Sequence, residues 1–230
     1  DSWLIDISGD LQFYPGLQPV RQMLLERGVQ HYQNLLDTTK HDQEVLLGES
    51  VKNGDVAASR QSLNDQRQIQ SEIVNHLLRL GDLQRLLGRP DESRQNYQQA
   101  QSLAEACLSA NGGNATQSQA EATVQLANAF IGQAILGQEN LGNLPAIDLE
   151  TVAAVVDKQA ESPIESQGTI DRAIAMTQQL LQQDPTNRDA RNALTRARVV
   201  AARIAACRSD WESAERYLTD ALPDSEILLQ

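Results

Sequence analysis

The chain has few aromatic side chains and no long apolar run. Phe, Trp and Tyr together make up 3% of its 230 residues, although the apolar total reaches 40%. The apolar share must therefore come from Ala, Leu, Ile and Val. The scarcity of aromatic and β-branched runs disfavours a β-sandwich or β-barrel. Abundant Ala, Leu, Gln, Glu and Arg, all good helix formers, instead predict an all-α protein.

Cysteine is also scarce, with only Cys107 and Cys207, both inside apolar helical patterns. A disulfide-stabilised scaffold would need more cysteines in a smaller chain, so both are predicted to be buried thiols in a reducing compartment. The sequence contains no stretch of 18 or more apolar residues, so no membrane span is predicted. The chain begins DSWLIDISGD, with neither the basic start of a signal peptide nor an initiator Met. We therefore expect a cytoplasmic protein and a chain excised from a longer one.

Positive charge is outnumbered, because 19 Lys and Arg face 31 Asp and Glu for a net charge of −12. An acidic chain binds nucleic acid and anionic membranes poorly, so neither is an expected partner. The charge is nevertheless uneven: residues 187–208 carry six Arg against one Asp, whereas residues 111–165 are strongly acidic. These two regions either neutralise one another across neighbouring helices, or the arginines face a partner.

Residues that would carry catalysis are missing from the expected patterns. His31, His41 and His76 share no metal-ligand spacing such as H-E-x-x-H. Neither a nucleophile elbow nor a phosphate-cradling glycine loop is present, and neither cysteine has a histidine beside it in the sequence. We therefore expect no enzyme activity, no cofactor and no metal site in this chain.

Apolar periodicity and turn residues predict seven helices. They cover residues 17–38, 64–87, 90–110, 117–140, 164–183, 187–208 and 210–222. Weak patterning predicts a loop over 40–62 and a long connection over 142–163, within which residues 148–160 favour a short helix. The predicted organisation is an extended lead-in at 1–16, an N-terminal helix and loop at 17–63, and a helical array at 64–230.

Small residues recur at matched spacing in two helix pairs. They are Gly81, Ser93 and Ala100 in one pair, and Ala202, Ala214 and Ala221 in the last pair. In both pairs the first two lie 12 residues apart and the last two lie seven apart. A middle pair fits the same pattern, with Gly132 on its first helix and Ala173, Thr177, Leu180 and Pro185 on its second, given an insertion at 142–163.

These spacings resemble those of tetratricopeptide repeats. The resemblance implies a solenoid of antiparallel helix pairs, with about three units and an N-terminal helix, Leu24 to Leu36, acting as a cap. In that class the first helix of each unit faces a concave groove. The implied groove residues are Asn75, Asp82, Arg85, Arg89, Gln133, Arg196, Val199 and Arg203. Because the Arg fork suits carboxylates, Arg85, Arg196 and Arg203 are predicted to hold an acidic segment of a protein or peptide.

A narrower resemblance covers residues 1–110. It is carried by Leu11, the run Pro15 to Pro19, Arg21, Leu24, Leu25, Tyr32, Leu35, Leu80 to Asp82, Leu87 and Gly88. These residues are similar to the repeat region that follows the catalytic domain in planctomycete-type bacterial Ser/Thr protein kinases. The resemblance implies a docking or regulatory region of a signalling kinase. The alternatives are a small-molecule sensor closed by residues 142–163, or a homo-oligomerisation module.

Overall fold

The computed structural model describes residues 14–50, 56–110, 117–142 and 163–228. After a short 3-10 turn at Pro15–Leu17, these residues form α1 (Gln18–Ser50), α2 (Val56–Leu86), α3 (Pro90–Ala110), α4 (Gln117–Gly142), α5 (Pro163–Gln183), α6 (Arg188–Cys207) and α7 (Trp211–Leu228). The predicted all-α class is confirmed, and the described ranges contain no strand. The predicted lead-in up to residue 13, the short helix at 148–160 and nearly all of the 142–163 insertion lie outside these residues.

The helices fall into two compact units, Asp1–Asn114 and Ala115–Gln230. In the first unit, α2 packs against both α1 and α3. In the second unit, α5 packs against α4 and α6, while α6 also packs against α4 and α7. Because short turns join α2 to α3, α5 to α6 and α6 to α7, each of these pairs runs antiparallel, as the sequence predicts.

Short turns between helices are set by local chemistry. After α2, Gly88 adopts a positive φ of 71°, and the amides of Gly88 and Arg89 donate to the last carbonyls of the helix. This is the left-handed helix ending that glycine favours. At the start of α6, the side chain of Asn187 accepts a hydrogen bond from the Ala190 amide at 2.9 Å. Both signals lie within a few residues of the helix they end or begin, which explains why these boundaries were predictable.

Three predicted helix limits are wrong: the end of α1, the start of α2 and the end of α7. The predicted loop at 40–62 is largely helical, because α1 continues to Ser50 and α2 already begins at Val56. Gly48 weakens the sequence pattern, yet it is exposed and sits in an otherwise favourable helical run, so the helix continues through it. The last helix passes through Pro223 and ends at Leu228, well beyond the predicted end at residue 222.

A close helix crossing defines the core of the first unit. Gly81 on α2 faces the ring of Tyr97 on α3, so closely that a Cβ at residue 81 would lie 2.7 Å from the Tyr97 Cε1 atom. The Ser93 hydroxyl donates to the Gly81 carbonyl at 2.7 Å, and both side chains on α3 are fully buried. Small residues at one crossing therefore admit one large aromatic ring.

Small residues also fill the core of the second unit. On α6 the buried residues are Ala190, Ala193, Leu194, Ala197, Val200, Ala201, Ala202, Ile204 and Ala205. Ala173 and Thr177 on α5 and Ala214 and Ala221 on α7 are buried as well. Alanine thus serves as the packing residue in a chain that has few aromatic side chains.

The prediction that both cysteines are buried is wrong for Cys207. This residue is exposed because it ends α6, whereas Cys107 is half-buried and lies 3.5 Å from the Gln70 side-chain oxygen. None of the described helices combines the length and the apolarity that a membrane span requires.

Candidate functional site

The four groove residues predicted in the first unit have different surroundings. Asn75 is exposed on α2, whereas Asp82 accepts a hydrogen bond from the Tyr97 hydroxyl at 2.6 Å. Arg85 is half-buried and also interacts with the Tyr97 phenol. Arg89 is exposed in the turn, with its guanidinium 3.9 Å from the Glu26 carboxylate of α1. Asp82 and Arg85 thus form contacts with the core tyrosine.

The surroundings of Tyr97 keep its phenol protonated. Burial, followed by the negative charge of Asp82 and the hydrogen bond to it, raises the pKa of Tyr97 well above its usual value of 10.0. Arg85 opposes this shift, but it does not reverse it. Because burial disfavours the phenolate, this cluster stabilises the fold and has no nucleophile at neutral pH.

The groove residues predicted in the second unit are divided between core and surface. Gln133 on α4 is only 8% exposed, so it offers little surface to a partner, in contrast to the accessible groove position that was predicted for it. α4 packs against both α5 and α6, which accounts for this burial. Arg196 on α6 is exposed, and its guanidinium donates to the Asn128 side-chain oxygen at 3.1 Å. Val199 and Arg203 are exposed on the same helix.

Much of the basic charge of α6 is engaged by α7. The Asp224 carboxylate accepts from Arg191 at 2.8 Å and from Arg198 at 2.6 Å, and all three side chains are largely buried. Arg188 donates to the Leu228 carbonyl at 3.0 Å. A carboxylate of α7 therefore neutralises Arg191 and Arg198. Neutralisation by the acidic 111–165 segment was one of two alternatives from the sequence, and most of the acidic residues of that segment lie outside the described residues.

A groove of about 790 Å³ runs between α6 and α7, and we call it the C-terminal groove. Its lining residues are Thr195, Val199, Ala202, Arg203, Ala206, Trp211, Ala214, Glu215, Leu218, Thr219, Ala221, Leu222 and Ser225. Val199 and Arg203 were among the predicted site residues, whereas the apolar side chains of α7 were not. Their spacing at residues 211, 214, 218, 221 and 222 is the helical pattern that could have identified them.

The repeat register that the sequence predicts relates this groove to the pair formed by α4 and α5, in the following way. Residues of α4 correspond to residues of α6 that lie 70 positions later, and residues of α5 to residues of α7 that lie 41 positions later. At the α4 and α5 positions Ala129, Ile170 and Thr177 are 0% exposed. The corresponding side chains are Val199, Trp211 and Leu218, which are 40%, 68% and 49% exposed. No described helix covers them, whereas α6 packs on both α4 and α5.

A second cavity of about 650 Å³ lies between the start of α4 and the end of α5. Its lining is mainly polar, and includes Gln117, Gln119, Thr123, Gln179, Asp184 and Asn187. Hydrogen bonds from the Thr186 hydroxyl and amide lower the pKa of Asp184, so that carboxylate completes the turn after α5. Within the described ranges, no group of three His, Cys, Asp or Glu side chains is arranged to hold a metal ion.

Comparisons with known proteins identify no family for this chain. No protein-family model matches it, and no curated protein matches it. Among solved structures it is similar to the crystal structure of BtubC (BKLC) from P. vanneervenii, at 14% sequence identity over 90% of each chain and with a TM-score of 0.28. At that score the two backbones superpose poorly.

Proposed function

We propose that this chain is a protein-binding module of the helical-repeat type, and that the C-terminal groove is its binding surface. The observation that carries this proposal is the exposure of Val199, Trp211 and Leu218 at positions that are buried in the preceding helix pair. A contiguous apolar surface of this kind is typical of protein–protein contacts. Fully covering one such side chain is worth about 1.5–3 kcal/mol, so three or four of them can support specific binding.

The likeness to tetratricopeptide repeats forms part of the same proposal. Its support is the equal spacing of the small residues, together with the way Gly81, Ser93 and Tyr97 pack at one crossing. Helix pairs of this kind hold a binding surface rigid, because each pair is fixed by its neighbour within the unit. A rigid groove reduces the entropy cost of binding a partner.

Charged residues at the rim of the groove favour a partner with complementary charged groups. Arg203 lies on the α6 side and Glu215 on the α7 side, and both are exposed. Arg203 makes no ion pair with the described residues, whereas Arg196 is occupied by Asn128. The predicted acidic segment of the partner is therefore expected at Arg203, where a carboxylate would form a two-pronged hydrogen bond.

The cellular setting is proposed from the sequence alone. The similarity of residues 1–110 to the repeat region of planctomycete-type bacterial Ser/Thr kinases supports a role as a docking region in cytoplasmic signalling. In that role the C-terminal groove would bring a substrate or regulator to the kinase.

Site-specific photo-crosslinking tests the proposed binding surface. A photoreactive amino acid is placed at Leu218 in the groove, or at the exposed Gln178 of α5 as a matched control. We expect the protein, produced in the organism that it comes from, to yield a discrete crosslinked adduct from position 218 and none from position 178. Leu222→Asp should remove that adduct.

The crosslinked partner is then purified and its affinity measured. Leu222→Asp and Arg203→Glu should each weaken binding about tenfold, a loss of about 1.4 kcal/mol. Gln178→Asp should leave the affinity unchanged. Equal adducts from both positions, or an affinity that neither groove variant alters, would show that this groove is not a binding surface.

A further inference from the structure

We infer that the C-terminal groove takes up an amphipathic α-helix of a partner protein, one that presents alanine-sized side chains along its buried face. This inference rests on the proposed function and names the class of partner. It follows from the repeat register of the second unit, in which one groove is already occupied by a helix of the chain itself.

The occupied groove lies between α4 and α5, and its occupant is α6. Most of the nine residues that α6 buries are alanines, among them Ala193, Ala197 and Ala201. Alanine at a helix crossing lets the two backbones approach closely. The ridges of one helix can then pack into the grooves of the other, with the helix axes about 8–10 Å apart. A helix with large side chains on that face would not reach the floor of the groove.

The floor of the C-terminal groove has the same character. Gly132 and Ala173 in the occupied pair correspond to Ala202 and Ala214, and both of these alanines are buried. Above this floor stand Val199 and Leu218, at positions that are fully covered in the occupied pair. The C-terminal groove therefore repeats the small-residue floor of the groove that α6 fills, with larger side chains on its walls and no described helix in it, and this points to a helix as the occupant.

A second copy of this chain is a poor occupant for this groove. The alanine-rich face of α6 is already buried within its own unit. In a two-fold symmetric dimer, the commonest kind, the surface that a second copy would offer here is α7 itself, whose exposed side chains are the bulky Trp211, Leu218 and Leu222. Two such ridges would meet tip to tip and leave both floors empty. Because the alanine-rich face of α6, the one that fills the first groove, is already buried in its own unit, the proposed helix belongs to a different protein.

A tethered helix tests this inference directly. A copy of residues 187–207 is fused after Gln230 through a Gly/Ser linker of about 15 residues, which holds it near the groove at an effective concentration in the millimolar range. Trp211 is the reporter, in a Trp3→Phe background, because it is 68% exposed and lines the groove. We expect the tethered copy to shift the Trp211 emission to the blue and to lower its quenching by acrylamide about threefold.

Two matched controls accompany the tethered helix. In one, the copies of Ala193 and Ala197 are changed to Glu, which should restore the quenching of the untethered chain. In the other, Leu218→Asp in the groove should do the same while circular dichroism shows that the helices remain. Unchanged quenching with the unmodified copy would overturn the inference. So would sedimentation showing that the untethered chain is a dimer with Trp211 already protected.

The two experiments fail separately. If photo-crosslinking finds a partner but the tethered helix does not cover Trp211, the groove binds protein without binding a helix of this kind. If the tethered helix covers Trp211 but no partner is found in the host, the groove accepts such a helix while the proposed function is wrong.

Discussion

At the scale of single residues, Tyr97 shows how an aromatic-poor chain makes room for one ring. Its ring lies against Gly81, its hydroxyl donates to Asp82, and Ser93 on the same helix bonds back to the Gly81 carbonyl. Asp82 and Arg85 were expected to face a partner because the resemblance to tetratricopeptide repeats implies that the first helix of a pair lines a groove. Their neighbour Tyr97 lies on the next helix, 15 residues from Asp82. The sequence pattern of α2 alone therefore could not identify this contact.

The contact between Gly81 and Tyr97 predicts that Gly81→Ala changes the free energy of unfolding in opposite directions in two backgrounds. In the native chain, Gly81→Ala should destabilise the first unit, because overpacking costs about 1–3 kcal/mol and exceeds the gain of about 1 kcal/mol in helix propensity. With Tyr97→Leu in place, the same alanine should stabilise by about 1 kcal/mol. Urea unfolding measures both values. Gly168→Ala on α5 is the control, since its Cβ would meet no atom within 4 Å and should be stabilising in either background.

The raised pKa of Tyr97 predicts a loss of stability in alkali. The folded protein holds this phenol protonated above pH 10, whereas the unfolded chain releases the proton near its usual value of 10.0. Stability from this group is therefore complete below pH 10 and falls as the pH rises above it. Tyr97→Phe should lose about 1 kcal/mol at pH 7 and show a shallower decline above pH 10 in urea unfolding. A parallel decline in both proteins would contradict the assignment.

At the scale of helices, α7 illustrates a boundary that depends on tertiary contacts. Pro223 would ordinarily end a helix, because it removes a backbone donor and crowds the preceding turn. The residues that follow it nevertheless remain helical, with Asp224 held by Arg191 and Arg198 and the Leu228 carbonyl held by Arg188. Those arginines lie on α6, more than 25 residues earlier, and local sequence rules do not include them.

Removing the carboxylate at Asp224 should release the end of α7. Asp224→Ala leaves Arg191 and Arg198 largely buried without their acidic partner, so local opening of residues 223–228 should become easier by about 1.5–3 kcal/mol. Hydrogen exchange followed by mass spectrometry would detect this as faster exchange in that peptide. Asp220→Asn is the control, because only the backbone carbonyl of Asp220 is bonded to Arg198. Faster exchange throughout α6 and α7 would instead indicate general unfolding.

At the scale of the whole molecule, the chain consists of two units that meet in sequence at residue 114. Each contains its own buried core, with Leu25, Leu77 and Leu80 in the first and Phe130 and Ile170 in the second. Each unit contains about half of the 230 residues, and domains of that size can fold independently. The C-terminal groove and all the residues that line it belong to the second unit.

A fragment of residues 115–230 should therefore fold without the rest of the chain. We expect its circular dichroism to be strongly helical, its urea unfolding to be cooperative, and Trp211 to keep the emission it has in the full chain. The fragment should also retain affinity for the partner identified by crosslinking, within about threefold. A fragment that is helical but unfolds without cooperativity would show that the second unit needs the first.

The fold was more predictable than the site for a physical reason. Helix periodicity and turn residues such as Gly88 act over a few residues, so each of the seven described helices has at least one end close to where the sequence predicts it. Val199 and Arg203 were predicted to face a partner and do line the groove. Gln133 was not distinguishable from them by sequence, because its burial depends on helices that pack over it. The exposure of Trp211 also depends on tertiary packing, since none of the described helices covers it.

The use of alanine at the helix crossings has a consequence for how such a chain can change. At a crossing of this kind a small residue on one helix packs against a side chain on the next helix of the same pair, as Gly81 does with Tyr97. The packing of one pair therefore depends little on the amino-acid residues of a distant pair. Duplicating or deleting a whole pair in the gene would preserve these crossings, so variation in the length of this chain should occur in steps of two helices.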